Sequence, residues 1–261
     1  KNVKLEYLGQ TFGLAGRTAL VTGAARGLGY AIATALGRAG ARVVINDLDA
    51  AACEGACQGL AAEGISARAA AFDVGDAEAV AGALGTLAAD GTSIDILVSN
   101  AGNQNRKPIV DMQPEEWLAL QNVHVNGAFH CARAVLPGMV ERGFGRIVLM
   151  SSVAGQATMP NIAAYATAKG ALAAFTRALA VEYGGKGVTC NALAPGFVRT
   201  DFTQGLQDNP HFQSFLDSAV PAGRWASPGD IAPAVVYLAS PAAAFVNGHV
   251  LAIDGGLLAR M

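Results

Sequence analysis

The 261-residue sequence predicts an α/β fold in which helices cover both faces of a mostly parallel sheet. Short apolar runs alternate along the chain with Ala-rich segments of helical periodicity. The apolar runs are continuous, as in parallel strands that are buried on both faces. Hydrophobic residues make up 52% of the chain and charged residues 15%, which is enough apolar material for a large core.

Each element of this fold follows from a local pattern, taken in chain order. The predicted strands are Thr18–Thr22, Ala41–Asn46, Ser66–Phe72, Ile94–Ser99, Arg146–Met150 and Val188–Ala192. Five helices are predicted. The first ends near Arg38, the second covers Ala50–Glu63, and the third begins after a cap at Asp76. The fourth runs from Pro114 to Arg142 with an interruption near Pro137, and the fifth covers Ala163–Tyr183. Repeated strand–helix–strand units of this kind build a doubly wound, Rossmann-type sheet.

We expect a single domain over residues 1–261, with an N-terminal extension at 1–12 and the least regular region at 197–228. The formal charge of −2 gives no reason to expect nucleic acid or an anionic membrane as a partner. No apolar run reaches the roughly 18 residues of a membrane span, and Lys1–Gln10 lacks the apolar segment of a signal peptide. These observations favour a small-molecule substrate and a cytoplasmic location.

Cysteines and histidines give no sign of a disulfide framework or a metal site. The four cysteines are scattered, so ordinary buried thiols in a reducing cytosol are expected. The four histidines have no metal-ligand spacing, so no metal is expected. These residues are Cys53, Cys57, Cys131 and Cys190, and His124, His130, His211 and His249.

A glycine-rich turn between the first strand and its helix predicts a dinucleotide site. Gly23, Gly27 and Gly29 let the backbone approach a pyrophosphate at the helix N-terminus. Asp47 ends the second strand at a distance suited to the hydroxyls of an adenosine ribose, although it could also cap the helix that follows. A carboxylate there favours NAD, whereas Arg26 beside the phosphates leaves NADP possible.

Three polar side chains predict proton chemistry at the same edge of the sheet. Tyr165 and Lys169 are four residues apart on a predicted helix and share a face. An ammonium about 5 Å from the phenol favours the phenolate by roughly 3 kcal/mol, on the order of two pKa units. Ser152 follows the strand that ends at Met150 and can hydrogen-bond a developing alkoxide. Each residue alone could be ordinary; together, downstream of a dinucleotide turn, they indicate catalysis.

This combination resembles the short-chain dehydrogenases from about Gly13 to Gly256. The motifs that carry the resemblance are Thr22–Gly29, Asn100–Gly102, Tyr165-x-x-x-Lys169 and Pro195-Gly196; Ser99 departs from the family's Asn. The resemblance implies hydride transfer between a nicotinamide cofactor and a secondary alcohol or ketone, and a homotetramer built by the two long helices and the C-terminal strand region. It also implies that Ser152, rather than Ser151, is catalytic.

The resemblance assigns further roles residue by residue. Asn126 matches the family's asparagine, which holds a water that relays protons to the lysine, and Lys169 would also bind the nicotinamide ribose. The complete set implied for the cofactor is Gly23, Arg26, Gly27, Leu28, Gly29, Asp47, Asp73, Val74, Asn100, Ala101, Gly102, Tyr165, Lys169, Pro195, Gly196, Val198 and Thr200. Ser152 and Tyr165 would contact the substrate.

The substrate is predicted from the loop after the fourth strand. Arg106 could pair with a substrate carboxylate or be a solvated charge, and for Lys107 the solvated charge is preferred. Arg106-x-Pro108, Pro221–Trp225 and Phe245–His249 resemble gluconate 5-dehydrogenases, which interconvert gluconate and 5-ketogluconate, whereas Ser151–Gly155 follows the general family pattern. A polyol or sugar dehydrogenase, a 3-oxoacyl-thioester reductase and a non-catalytic dinucleotide sensor remain as alternatives.

Overall fold

The computed structural model describes residues 3–260, and one seven-stranded parallel sheet forms its centre. The strands are β1 (Thr18–Val21), β2 (Arg42–Ile45), β3 (Ala67–Ala69), β4 (Ile96–Ser99), β5 (Gly145–Met150), β6 (Val188–Pro195) and β7 (Val250–Ile253). Their order in the sheet is β3-β2-β1-β4-β5-β6-β7, and each neighbouring pair is parallel. The predicted doubly wound α/β class is therefore confirmed.

Helices cover both faces of the sheet. They are α1 (Val3–Phe12), α2 (Gly27–Arg38), α3 (Ala50–Ala62), α4 (Ala77–Ala89), α5 (Pro114–Gln121), α6 (Gly127–Glu141), α7 (Ala163–Tyr183), α8 (Gln204–Gln207), α9 (Pro210–Ala219) and α10 (Pro228–Ala239). One apolar core joins the sheet to α2, α3 and α10, and a second joins it to α4, α6 and α7. The strands are buried between these two layers, which explains their continuous apolar runs.

The long helix predicted over Pro114–Arg142 differs from the prediction in one respect. It passes through Pro137 without a break, because Leu136 and Met139 are buried against the second core and hold the backbone helical. Its regular geometry changes instead at Asn122–Asn126, which form a π turn between α5 and α6. Turns of this kind occur often at functional sites.

Two other regions also differ from the sequence-based expectation. The third strand is shorter than predicted, because Ala67–Ala69 lies at the sheet edge with its side chains partly exposed. The region 197–228 is more ordered than expected, since it contains α8 and α9 and a small core of its own. That core consists of Phe212, Leu216, Val220 and Trp225, packed against Met159, Phe197, Leu206 and Leu257.

The remaining sequence-based expectations concern assembly, thiols, metals and membranes. The two long helices carry exposed apolar side chains, Phe129 on α6 and Val181 on α7, but the tetramer itself stays a prediction. All four cysteines are free and buried. Within residues 3–260, no group of three or more His, Cys, Asp or Glu side chains is placed to hold a metal ion. No helix in that same range is long and apolar enough to cross a membrane.

Candidate active site

A cleft of about 600 Å³ opens at the carboxyl ends of the strands, where the strand order reverses between β1 and β4. Such a reversal is where ligands bind in open α/β sheets, because the loops on either side of it diverge. Every residue that the sequence predicted for the cofactor lines this cleft, and so does Ser152. Asn126 and Arg106 are not among the residues that line it.

Helix α2 is left open at the end that faces the cleft. Its N-cap, Arg26, makes no side-chain capping bond, whereas Asp49 caps α3 and Asp76 caps α4 through two backbone N–H groups each. The first N–H groups of a helix have no partner within the helix and carry a partial positive charge. The uncapped N–H groups of α2 are therefore free to bind an anion such as a pyrophosphate.

The glycines of this turn meet two different requirements. A Cβ on Gly23 would come within 2.8 Å of the Ala101 Cα, so only glycine lets this loop pack on the end of β4. Gly27 has φ +58° and nothing nearer to its Cβ position than Thr200 Cβ at 4.0 Å, which leaves room for a phosphate beside the backbone. The residues present thus fit a dinucleotide.

Asp47 lines the cleft just after β2, and it does not cap the following helix. Its carboxylate accepts hydrogen bonds from the backbone N–H groups of Leu48 at 2.9 Å and Ala25 at 3.3 Å. The cap of α3 is Asp49, which accepts from Ala51 N at 2.8 Å and Ala52 N at 3.2 Å. Of the two alternatives open from the sequence, the structure thus removes the capping role from Asp47.

Asn100 ties two strand ends together at the base of the cleft. Its Nδ2 donates to the carbonyl oxygens of Thr22 at 3.0 Å and Gly23 at 3.1 Å. Its backbone N–H and that of Ala101 both donate to Thr22 Oγ1 at 3.0 Å. These bonds fix the glycine turn to β4, so the substitution of Ser99 for the family's Asn leaves the junction intact.

The predicted catalytic side chains converge at the other end of the cleft. The Lys169 ammonium lies 5.3 Å from the Tyr165 ring centroid and donates to Met150 O at 2.6 Å. Ser152 hydrogen-bonds the Tyr165 phenol, and Ser152 Oγ also accepts from Ala154 N at 3.1 Å. Ser151 Oγ instead donates to Lys169 O at 2.8 Å, so it fixes α7 against the end of β5. Ser152, not Ser151, faces the tyrosine.

The pKa of Tyr165 moves in the direction opposite to the prediction. Burial raises it, while the hydrogen bond from Ser152 and the charge of Arg106 oppose that rise. Burial also lowers the pKa of Lys169 to about 7, so burial disfavours the charged form of this lysine. The prediction counted the attraction between the two groups and left out the cost of burying both.

Asn126 is not among the residues that line the cleft, and its predicted role in a proton relay stays a prediction. Its side chain is exposed and donates to Asn122 Oδ1 at 2.9 Å, while Asn122 Nδ2 donates to Gly75 O at 3.1 Å. The π turn rotates this part of the helix, and His124 lines the cleft instead. His124 is buried and packs edge-on against Tyr165, with ring centroids 5.5 Å apart.

The loop after β4 separates its two cations. Lys107 Nζ lies 2.6 Å from Glu116 Oε1, and Asn105 Nδ2 donates to the same oxygen at 3.1 Å. Arg106 points the other way: its Nη1 is 3.9 Å from Met159 Sδ, and its charge acts on Tyr165. Among the residues that the structure describes, no carboxylate pairs with Arg106.

Several residues that line the cleft were not predicted from the sequence, among them Leu48, His124 and Phe202. Leu48 is 71% exposed beside Asp47, a position next to the ribose carboxylate that only the strand-end geometry reveals. Phe202 follows Thr200 and lies 6.1 Å from the Tyr165 ring between centroids. For His124, the signal in the sequence is a histidine among the apolar positions of the long helix. The spacing of the four histidines, which argues only about metal binding, does not reveal this position.

An uncapped helix above a glycine turn, a carboxylate after the second strand and a converging Ser–Tyr–Lys set are together typical of a nicotinamide-dependent oxidoreductase. A family model described as enoyl-(acyl carrier protein) reductase matches residues 23–258. The chain belongs to the short-chain dehydrogenase/reductase family, as the resemblance predicted, and it is an NAD(P)-dependent enzyme that acts on CH–OH donors.

Individual relatives match over almost their full length. The chain is 41% identical to a gluconate 5-dehydrogenase of Gluconobacter oxydans, over 94% of this chain and 96% of that protein. It is 42% identical to an L-tagatose-forming galactitol 2-dehydrogenase of Cereibacter sphaeroides, with the same two coverages. A crystal structure of gluconate 5-dehydrogenase from Burkholderia cenocepacia with NADP and tartrate superposes with a TM-score of 0.95, at 38% identity over 97% of this chain and 99% of that one.

Proposed function

We propose that the protein interconverts a sugar acid and its keto form, with gluconate and 5-ketogluconate as the substrate pair. The relatives named for gluconate support this proposal, and so does the tartrate named with one of them, since tartrate is also a hydroxy acid. The position of Arg106 in this chain is the observation that carries it.

Arg106 is suited to hold a carboxylate while Tyr165 acts on a hydroxyl. Although it does not line the cleft, its Nη1 lies 3.9 Å from Met159 Sδ and its charge acts on Tyr165. Desolvation lowers the pKa of Arg106, although much of the side chain is exposed, so a cation at this mouth carries an unmet electrostatic cost. A substrate carboxylate would offset that cost through two parallel hydrogen bonds. A neutral polyol would not.

The side chains move the proton of the reaction. When bound, the nicotinamide cofactor supplies the acceptor or donor of the hydride. In oxidation, the Tyr165 oxygen takes the proton of the substrate hydroxyl, while Ser152 Oγ holds the substrate oxygen and stabilises its developing charge. In reduction, Tyr165 returns that proton to the new alkoxide. Charged Lys169 favours the phenolate that oxidation needs.

We also infer a preference for NAD, based on Asp47. Its carboxylate can accept both ribose hydroxyls and would repel a 2′-phosphate. Arg26 is exposed at the rim of the same site, so NADP binding is weakened rather than abolished. Three of the similar crystal structures contain NADP, so the cofactor preference of this chain has to be measured.

The test is an assay of cofactor reduction with gluconate as the substrate, run separately with NAD and with NADP. The reverse reaction is measured with 5-ketogluconate and the reduced form of each cofactor. Arg106→Ala should raise KM for gluconate by roughly 10- to 100-fold, because a charge-assisted hydrogen bond is worth about 1.5–3 kcal/mol. Arg106→Lys should recover part of the loss, since it keeps the charge without the two-pronged donor. Lys107→Ala, the matched neighbour, should change KM by no more than a few fold.

A second candidate, oxidation of a neutral polyol, is favoured by the 42% identity to galactitol 2-dehydrogenase. The same assay separates the two candidates when galactitol and a short 3-oxoacyl thioester are added to the panel. Turnover of galactitol at a rate that Arg106→Ala leaves unchanged, without turnover of gluconate, would overturn the sugar-acid proposal. Turnover of the thioester alone would assign the enzyme to acyl reduction.

A further inference from the structure

Met159 lies between a cation and an apolar core. Its Sδ is 3.9 Å from Arg106 Nη1 on one side. On the other side it packs against the small core formed by α9 and Trp225. Met159 itself is partly buried, whereas its neighbours Thr158 and Pro160 are exposed. A small solute can therefore reach the thioether at the point where it contacts Arg106.

In its reduced form the sulfur leaves Arg106 available to a ligand. A thioether is a weak hydrogen-bond acceptor, so this contact holds the guanidinium only weakly. Among the residues that the structure describes, no carboxylate forms an ion pair with Arg106. The guanidinium can thus turn its donors to a substrate carboxylate, as the proposed function requires.

A single oxygen added to the sulfur changes this contact. Oxidation of a methionine gives a sulfoxide, which is polar where the thioether was apolar. An oxygen that pointed at Trp225 and the small core would be buried without a partner, which is costly. An oxygen that pointed at Arg106 would accept a hydrogen bond from a cation, which is a strong bond. The surroundings of Met159 therefore favour one direction for this oxygen, toward Arg106.

We propose that Met159 is an oxidation site that controls substrate binding: its sulfoxide oxygen accepts a hydrogen bond from Arg106 and competes with the substrate carboxylate for that side chain. The inference rests on the proposed function, because it takes Arg106 as the group that holds the carboxylate. The oxidant is hydrogen peroxide. The sulfur lone pair attacks one peroxide oxygen, the O–O bond breaks, and the second oxygen leaves as water with the proton of the first. The sulfur loses two electrons and the peroxide gains them.

Most other sulfur atoms within residues 3–260 are shielded from a peroxide. Met139 and Met150 are 0% and 3% exposed. The four cysteines are buried, and burial raises the pKa of each thiol, so the reactive thiolate is disfavoured. Met112 is partly buried like Met159, but it packs against the cluster that contains Leu120. Met112 is therefore the matched control for Met159.

The test compares the kinetics of the enzyme before and after treatment with hydrogen peroxide, once the peroxide has been removed. In wild type, oxidation of Met159, identified by mass spectrometry of its peptide, should raise KM for gluconate roughly tenfold, because the carboxylate loses a charge-assisted hydrogen bond. The values of kcat and of the cofactor Kd should change by less than about twofold, since Ser152 and Tyr165 are unaltered. Methionine sulfoxide reductases for both epimers should restore KM, whereas a thiol reductant should not.

Four variants separate this mechanism from general oxidative damage. Met159→Leu keeps an apolar side chain and cannot form the sulfoxide, so its KM should not respond to peroxide. Met112→Leu should respond as wild type does. Arg106→Ala should show no further rise in KM on oxidation, because the side chain that would bind the new oxygen is already absent. Met159→Gln, which carries an amide oxygen, should raise KM without any peroxide.

Several outcomes would contradict the inference. It is overturned if peroxide does not oxidise Met159, or if wild type with oxidised Met159 keeps its KM. It is also overturned if peroxide raises KM equally in Arg106→Ala, since the oxygen would then act by disturbing the small core, with a fall in Tm. This comparison does not require Met159→Leu to fold.

Failure of the proposed function looks different. In that case untreated wild type does not turn over gluconate, or Arg106→Ala leaves the untreated KM unchanged, whatever the state of Met159. The inference then falls together with the proposed function. If the untreated enzymes behave as proposed and only the response to peroxide is missing, the inference alone is wrong.

Discussion

The two ends of the cleft differ in whether backbone groups or side chains face a ligand. At the cofactor end the groups that face the ligand are mainly backbone, namely the open N-terminus of α2 and the glycine turn that Asn100 fixes to β4. At the other end they include side chains carried by loops and short helices: Phe202 lines the cleft beside Tyr165, and Arg106, whose charge acts on Tyr165, contacts Met159 outside it. The binding of a common cofactor is thus built into the sheet, while substrate choice depends on segments that can vary independently of it.

Tyr165 stands between the two ends, so its removal should separate binding from chemistry. Tyr165→Phe should lower kcat about 10²- to 10⁴-fold, because the phenol is the proton donor and acceptor of the reaction. The ring is kept, including its edge contact with His124. The cofactor Kd, measured by fluorescence titration or calorimetry, should therefore change less than about twofold, since the cofactor end is untouched.

The outcome of that substitution also tests whether the Tyr165 phenol transfers the proton. A variant that keeps full turnover would show that the phenol does not transfer the proton. A variant that loses cofactor binding in parallel with turnover would show that the two ends do not act independently. Ser151→Ala is a suitable comparison, because this serine bonds Lys169 O rather than the tyrosine. It should affect stability more than proton transfer.

At the cofactor end, Asp47 should set the preference between the two cofactors. Asp47→Ser removes the carboxylate that we propose accepts the ribose hydroxyls, so the ratio of kcat/KM for NAD over NADP should fall about tenfold or more. Asp49→Ser is a matched control two residues away, since it keeps a helix cap at α3. An unchanged ratio in Asp47→Ser would assign the discrimination to Arg26.

The cofactor end could be predicted from the sequence because its residues follow local rules. The strand, the glycine turn and the helix are consecutive in the chain. The second strand ends at Ile45, and Asp47 follows it after one residue, Asn46. The same applies to Tyr165 and Lys169, which share one face of α7. Each of these positions depends on a spacing within one element, and a parallel sheet brings all its carboxyl ends to one edge.

The substrate end could be predicted only in part, because its contacts join distant segments. That Arg106 reaches Met159 and Tyr165, and that Lys107 turns to Glu116, depends on loop conformation. The side-chain directions around Asn126 could not be predicted from helical periodicity, because a π turn inserts extra backbone into the helix across Asn122–Asn126.

The smallest effect is expected at the loop that carries Arg106. Glu116 accepts from Lys107 at 2.6 Å, Gln113 N at 2.9 Å and Asn105 at 3.1 Å, and these bonds lower its pKa to about 2. Glu116→Gln should raise KM for gluconate roughly two- to fivefold, because exposed ion pairs contribute little, and should leave the cofactor Kd unchanged.

The pH dependence of this loop follows from the sign of the Glu116 shift. A carboxyl whose folded pKa is depressed contributes its stabilisation above its unfolded pKa of about 4.3, and that contribution is lost as pH falls through about 2. The loop should therefore be equally ordered at every pH from about 5 upward. KM values of wild type and Glu116→Gln should run parallel across this range. A difference that grows toward pH 5 would mean that Glu116 titrates there, and that the substrate end is held less firmly than its hydrogen bonds indicate.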